Sequence, residues 1–339
     1  MEYINLVRKT TLEVMARAKS VRVDREKIAE MAKKWVKQNV KVPPRVKEDI
    51  LDTKNEQRII DYLIILDTIN FCFWPSFARA SEGRIQKEKW HIYDKGKKYD
   101  GYYALSLRLK NFFEENPEKA NLNYFLQISY ENFVNIIDGK GGLQFTKERW
   151  QGTRAVSSAV LNKYGGALKF VKSTNGRFSN LIPKVAKLPT FNDVREYHGK
   201  RVYLWKRAQI LGADICFAFK GKGIGHFKDK EYLTAMADYK LPQILRHWDI
   251  LSYSRELDNK IKNHILIPTG SQEEVEIRAA TIWAVEYLKK EMAKLGKEFY
   301  SYEIDWILWD MVQNIKMKLS LPAFSRMKNT YHLTKTIYY

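Results

Sequence analysis

The segment Ser271-Gln-Glu-Glu-Val-Glu-Ile-Arg-Ala-Ala-Thr-Ile-Trp-Ala-Val-Glu-Tyr-Leu-Lys-Lys-Glu-Met-Ala-Lys-Leu-Gly296 sets the class of the fold. It opens on a capping box, in which the Ser271 and Glu274 side chains are spaced to satisfy the first free amides of a helix. The helix it starts should run to about Leu295, where Gly296 ends it. The same periodicity recurs along the chain. Residues 3–20 and 24–40 read as amphipathic helices, with a turn at Val42-Pro43-Pro44. Residues 56–74 read as a strongly apolar helix stopped by Pro75. Helices are also expected over 102–115, 121–138, 144–163, 190–220 and 302–318, the last before Leu321-Pro322. Between Trp90 and Tyr102 the pattern changes to a short hairpin turning at Asp94-Lys-Gly. With no internal repeat and no low-complexity linker, the chain reads as mainly α, a single helical domain over residues 1–339 with a small β-hairpin.

Of the 339 residues, 45% are hydrophobic and 29% charged, which predicts a packed core and excludes global disorder. The formal charge of +20 favours anionic partners: nucleic acid, nucleotides or other phosphorylated small molecules. The cations are dispersed, however, and pairs such as Lys33-Lys34, Lys97-Lys98 and Lys289-Lys290 build no block, so a solvated Lys-rich surface accounts for the charge equally well. Cys72 and Cys216 sit in apolar stretches without metal-ligand spacing. Neither a disulfide nor a metal site is expected, and a reducing cytoplasm is the natural compartment. The first residues lack the apolar run of a signal peptide, and no segment approaches the ~18 apolar residues that cross a bilayer. A soluble, cytoplasmic protein is expected.

Three stretches carry chemistry. In Asp67-Thr-Ile-Asn-Phe-Cys-Phe-Trp74, a continuing helix would put Asp67, Asn70, Phe71 and Trp74 on one stripe. A carboxylate there matches the two adjacent N–H donors of a guanine-like edge, and the rings match its faces. The plain alternative is a salt-bridged or capping Asp beside core aromatics. The second stretch runs from Trp205-Lys206-Arg207 and Gln209 through Gly221-Lys-Gly223-Ile-Gly225 to Asp238-Tyr239-Lys240. Lys206 and Gln209 share a helical face suited to a phosphate with an adjacent polar group. The Gly-x-Gly turn followed by an Asp echoes helix-hairpin-helix DNA glycosylases, while a connecting loop and a turn Asp before Pro242 are the bland reading. The third stretch holds Glu276, Arg278 and Asp310. Both ligand contacts and an internal Asp310–Arg278 pair fit a carboxylate hemmed by Leu308, Trp309, Met311 and Val312.

Taken in order, these stretches resemble the queuosine salvage protein family, the queuosine 5′-phosphate N-glycosylases. The matching segments include Asp67–Trp74, Tyr99-Asp-Gly-Tyr102, Gly199-Lys-Arg-Val202, Lys206-Arg-Ala-Gln-Ile-Leu211, Gly221-Lys-Gly, Phe227-Lys-Asp229, Ala237-Asp-Tyr-Lys-Leu-Pro-Gln243, Glu274-Val-Glu-Ile-Arg278, Leu308-Trp-Asp310 and Ile337-Tyr-Tyr339. The likeness runs from about residue 56 to 339, and the first 50 residues match loosely. It implies a fold similar to helix-hairpin-helix DNA glycosylases and hydrolysis of queuosine 5′-monophosphate to queuine and ribose 5-phosphate, for salvage into tRNA. It carries the family's catalytic aspartate onto Asp238 and an active-site lysine onto Lys206.

Cleavage of an N-glycosidic bond builds positive charge on the ribose, so a fixed carboxylate is the central requirement. Asp238 is the candidate. Lys206, helped by Arg207 or Arg278, is expected to hold the 5′-phosphate, and Asp67 with Asn70 the base edge, with Phe71 and Trp74 stacking. Asp310 or Glu276 would meet the ammonium or diol of the queuine side chain, and Tyr239 and Tyr339 complete the expected contacts. No metal or cofactor is needed. A monomer acting on a small molecule is expected, without a stable nucleic acid complex or membrane attachment. Rival readings are a DNA or RNA base-excision glycosylase and a non-catalytic RNA-binding protein.

Overall fold

The structure, a computed structural model, describes residues 5–44, 51, 53–75, 77–80, 83–86, 88–318 and 330–339. The chain order is α1 (Leu6–Met15), β1 (Val21–Val23), α2 (Arg25–Lys37), α3 (Glu56–Ile69), β2 (Phe77–Ala80), β3 (Gly83–Gln86), β4 (His91–Asp94), β5 (Lys97–Asp100), α4 (Gly101–Glu115), α5 (Leu122–Gln127), α6 (Tyr130–Ile136) and α7 (Thr146–Tyr164). It continues with α8 (Ala167–Lys172), α9 (Phe178–Ala186), β6 (Val194–Tyr197), β7 (Lys200–Tyr203), α10 (Lys206–Ala218), α11 (Leu241–His247), β8 (Leu251–Tyr253), α12 (Arg255–Lys262), α13 (Gln272–Lys294) and α14 (Ser301–Lys318). The fold is mainly helical, and among the described residues the strands form antiparallel pairs: β1 with β8, β2 with β3, β4 with β5 and β6 with β7.

The described chain divides into two compact units. The first takes Met1–Pro44, Asp193–Gln209 and Asp229–Lys335, and the second Arg45–Asn192, Ile210–Lys228 and Thr336–Tyr339. In the first unit, α13 is the central helix. Ser271 caps it by accepting from the Glu274 amide at 3.3 Å, and Gly296, at φ 76°, follows its end. Its residues from Glu274 to Glu286 are all buried, because α1, α2, α11 and α14 pack around it. In the second unit, α3 plays that part. Every residue from Ile60 to Ile69 is buried, against α4, α7 and α8.

Four expected helices depart from the pattern, and the first, over 3–20, already ends at Met15. The segment 121–138 breaks into α5 and α6, because Ser129 takes an extended conformation and caps a new helix by accepting from the Asn132 amide. The segment 190–220 begins instead as the β6–β7 hairpin, whose two-residue turn puts His198 and Gly199 at φ 48° and 73°, before α10 starts at Lys206. The helix from residue 56 stops at Ile69, five residues short of Trp74. Leu321-Pro322 lies outside the described residues. No helix among the described residues is long and apolar enough to cross a membrane.

Candidate active site

The first unit holds Lys206, Arg207, Asp238, Tyr239, Glu276, Arg278 and Asp310. Asp238 lies in a segment, 233–238, that has no regular secondary structure and is buried throughout. Backbone groups buried without a ladder need other partners, and here side chains supply them. Arg8 of α1 donates to the Leu233 carbonyl at 2.9 Å. The Thr234 amide and hydroxyl donate to Gln209 Oε1 of α10, at 2.8 and 3.1 Å. The Met236 amide donates to Asp305 of α14 at 2.7 Å, and Arg278 of α13 donates from Nε to the Ala237 carbonyl at 3.2 Å. Asp238 then caps the chain's entry into α11, its Oδ1 accepting from the amides of Lys240 and Leu241 at 2.7 and 3.1 Å. Among the described residues, both hydrogen bonds to this carboxylate fall on Oδ1. Oδ2 accepts none of these hydrogen bonds.

Asp193, which the sequence reading did not single out, joins this segment to Lys206. Its carboxylate takes Arg278 in a two-point pair, with Oδ1 at 3.1 Å from Nη1 and Oδ2 at 2.5 Å from Nη2. Oδ2 also accepts from the Lys206 amide at 3.3 Å, and the Asp193 carbonyl accepts from Leu204 and Trp205. Glu274 completes the cluster at 3.2 Å from Arg278 and 3.5 Å from Arg195. Burial alone would raise the Asp193 carboxyl. The charge and hydrogen bonds of Arg278, with the charge of Arg195 and the Lys206 amide, outweigh it and hold the group below its ordinary value. His332, also buried, is pushed down to about 3 by burial and then by the charges of Arg278 and Arg246, so it stays neutral.

Around Asp238 stand further groups. Tyr239 and Tyr331 have ring centroids 5.1 Å apart, and the buried Lys240 ammonium lies 5.5 and 5.1 Å from those rings. Lys206 and Arg207 open α10, both buried. Gln209, expected beside a phosphate, spends its oxygen on Thr234 and its amide nitrogen on Leu204. Glu276 sits apart from this cluster: it accepts from the Tyr197 hydroxyl at 2.8 Å and from the amides of Lys19 and Ser20 at 3.0 and 2.6 Å. Arg278 is fully buried. Asp310 is half-buried on α14, five residues beyond Asp305.

The second unit holds Asp67, Asn70, Phe71, Trp74 and Tyr339, all buried. They do not form one helical stripe. Arg149, fully buried on α7, donates to the carbonyls of Ile69 and Phe71 and to Gln144, drawing the chain out of the helix, and Cys72 takes φ 48°. Asn70 donates to Asp67 Oδ1 at 3.4 Å. The Arg149 guanidinium lies 4.1 Å from the centre of the Phe71 ring, and Gln144 donates to the Trp74 carbonyl at 2.7 Å. The Cys72 amide donates to the Tyr339 carbonyl at 2.9 Å, which brings Tyr339 to this same loop.

A model of the queuosine salvage protein family matches residues 50–339. The chain belongs to that family. Similar proteins named queuosine 5′-phosphate N-glycosylase/hydrolase occur in bacteria and eukaryotes. That of Sphaerobacter thermophilus is 34% identical over 332 residues, covering 97% of this chain and 96% of the relative. That of Dictyostelium discoideum is 32% identical over 353 residues and covers both chains completely, and that of Bos taurus is 29% identical over 296 residues, covering 84% and 82%. Membership of the queuosine salvage family accords with the resemblance carried by the ordered segments from Asp67 to Tyr339. The two helix-opening residues Lys206 and Arg207, and the pinned segment before Asp238, both fall within the matched residues.

Proposed function

We propose that the chain hydrolyses the N-glycosidic bond of queuosine 5′-monophosphate, giving queuine and ribose 5-phosphate. The observation that carries this reading is Asp238: a buried carboxylate, one oxygen tied to two amides, at the end of a segment fixed by side chains from four helices. As the C1′–N9 bond breaks, the electron pair leaves with the base and positive charge grows on the ribose. Asp238 Oδ2 stabilises that charge, water adds its oxygen to C1′, and the water's proton ends on the base. A 7-deazapurine has carbon in place of N7, so protonation at N7 cannot assist departure, and the demand falls on the fixed carboxylate and on donors around the base.

Lys206 anchors the 5′-phosphate in this reading, with Arg207 beside it on α10. Because Asp193 binds both the Lys206 amide and Arg278, and Arg278 binds the carbonyl before Asp238, the spacing of phosphate anchor and acid is set by one buried ion pair. We assign Arg278 to this scaffold, and Glu276 to the separate junction with Tyr197, Lys19 and Ser20, rather than to the ligand, since their polar atoms are met within the protein. Tyr239 and Lys240 border the sugar, and Asp310 takes the ammonium or diol of the queuine arm. Asp67 and Asn70 have the chemistry to meet N1–H, the exocyclic amine and O6, and Phe71, Trp74 and Tyr339 the apolar surface to meet the base. The protein works as a cytoplasmic monomer, and no stable nucleic acid complex enters the reaction.

The test is incubation of the pure protein with queuosine 5′-monophosphate, without added metal, and detection of free queuine. Asp238→Asn keeps an Oδ1 acceptor for Lys240 and Leu241 and is expected to lower turnover by roughly 10²- to 10³-fold or more, as loss of an electrostatic stabiliser does. Retention of most activity by this variant, with the wild type active, removes Asp238 from the mechanism. Inactivity of the wild type toward this nucleotide removes the function.

A further inference from the structure

Acidic residues are missing from two stretches of the second unit. Residues 149–192 contain eight Lys or Arg and no Asp or Glu, and residues 215–228 contain three Lys and again no acid. With 39 acids in 339 residues, 58 residues should hold about six or seven. The helix dipole does not explain the gap. It favours acids in first turns, yet the first turns of α8 and α9 carry none, while Lys169, Lys172 and Lys184 do occupy their last turns.

The two stretches meet as one surface. The Lys228 amide donates to the Gly176 carbonyl at 3.0 Å, and the Phe227 ring stacks on Phe178 with centroids 4.0 Å apart. Lys184 donates to the Ser173 carbonyl and hydroxyl at 2.8 and 3.0 Å, which brings it beside Lys172. Lys172, Lys220, Lys222 and Lys228 are exposed, and Glu56 borders the patch at Gly223. The turns at 175–176 and 220–223, with Asn175, Gly176, Lys220, Gly221 and Gly223 at positive φ, place these cations on protruding loops rather than along one helix.

We propose that this face docks RNA through its phosphodiester backbone. Cations on turns and helix ends reach phosphates and fix position without reading bases, unlike a helix laid into a major groove. None of the exposed large apolar side chains among the described residues falls in either stretch, which disfavours a membrane surface, where such anchors accompany the charge. The choice of RNA over DNA rests on the proposed function: the substrate is a ribonucleotide 5′-phosphate, a fragment of RNA, and docking holds the enzyme where such fragments are released. The contact is transient and salt-sensitive.

The experiment is fluorescence anisotropy of the full chain with a labelled 20-nucleotide single-stranded RNA of mixed sequence. If three to five phosphates are neutralised, log K falls with log salt at a slope of about −2 to −3.5, so raising KCl from 50 to 200 mM weakens binding roughly 15- to 130-fold. The triple reversal Lys172→Glu, Lys222→Glu, Lys228→Glu is expected to lower affinity at least about tenfold while kcat/KM on the mononucleotide is unchanged. The same reversal at Lys33, Lys34 and Lys290, in the first unit, changes net charge equally and is expected to leave affinity within about twofold. Should the first triple variant fail to fold, the matching Gln substitutions, expected to cost about threefold, carry the same comparison. Equal losses in both triple variants, no binding at 50 mM KCl, or tighter binding to phosphatidylserine vesicles or duplex DNA each overturn the proposal. Asp238→Asn separates the two readings: it stops hydrolysis and is expected to bind RNA as the wild type does, whereas lost RNA binding in that variant would place the RNA at the reaction site and sink the docking face.

Discussion

Arg278 donates from Nε to the carbonyl oxygen of Ala237 at 3.2 Å, and so fixes the peptide that leads into Asp238. The rest of its guanidinium is held by Asp193 and Glu274. A displacement of about 1 Å at a reacting group costs on the order of 10²-fold in rate. Arg278→Lys keeps the charge but loses the planar fork, and is expected to lower kcat roughly 10- to 100-fold with KM changed less than about threefold. Steady-state kinetics on queuosine 5′-monophosphate decides this: a raised KM with kcat intact would instead make Arg278 a phosphate ligand.

Lys206 stands in the opposite case. Its amide is engaged by Asp193, so the side chain can be cut without removing that hydrogen bond. Lys206→Ala is expected to raise KM for the nucleotide by about 10-fold or more and to change cleavage of the unphosphorylated nucleoside little, since a charge-assisted anchor contributes ~1.5–3 kcal/mol. Equal losses on both substrates would remove the phosphate from its role.

Glu276 receives three donors: the amides of Lys19 and Ser20 and the hydroxyl of Tyr197. Burial, then the hydrogen bond and charge of Glu276, push the Tyr197 phenol above its ordinary value. Glu276→Ala leaves the buried Tyr197 hydroxyl without its acceptor and takes one from the part-buried amides of Lys19 and Ser20, and is expected to destabilise the fold by about 1–3 kcal/mol, with KM unaltered. Urea unfolding and kinetics measured on the same variant test this, and a KM defect in a fully stable protein would return Glu276 to the ligand.

Asp61 of α3 provides a pH signature. Burial pushes its carboxyl up to about 7, and the hydrogen bond from Gln57, at 2.9 Å, offsets only part of that. The folded chain therefore binds this proton more tightly than the unfolded chain, whose carboxyl titrates near about 4. The stabilising contribution is complete below that lower value and is lost as pH rises through about 7. Thermal melts should fall between pH 5 and pH 8, by up to about 2.5 kcal/mol of stability, and Asp61→Asn should flatten that dependence. An unchanged slope in Asp61→Asn would assign the titration to another group.

The sequence made the helical class, the α13 cap and the β4–β5 turn legible because each is decided by neighbours in the chain: Ser271 with Glu274, and Lys95-Gly96 at φ 46° and 78°. The stripe from Asp67 to Trp74 was not legible, because the guanidinium that ends α3 comes from Arg149, about eighty residues on. The β6–β7 hairpin did leave a signal: the strand-forming Val194, Tyr197, Val202 and Tyr203 on either side of His198-Gly199, outweighed by the helical residues that follow. Asp193 escaped notice for a related reason. A lone carboxylate after Phe191-Asn192 has no local sign of the arginine 85 positions later that it holds. Lys206 and Asp238 are candidates through family likeness, whereas the link between the Lys206 amide and the Ala237 carbonyl through Asp193 and Arg278 is visible only in three dimensions.

The stretch from Leu233 to Ala237 has no ladder of its own, and each of its fastenings comes from a different helix. Heating that loosens any one of them detunes the carboxylate while the helices stay wound. Inactivation should therefore run ahead of melting, with turnover fading at temperatures where the far-ultraviolet circular dichroism is still that of the intact protein.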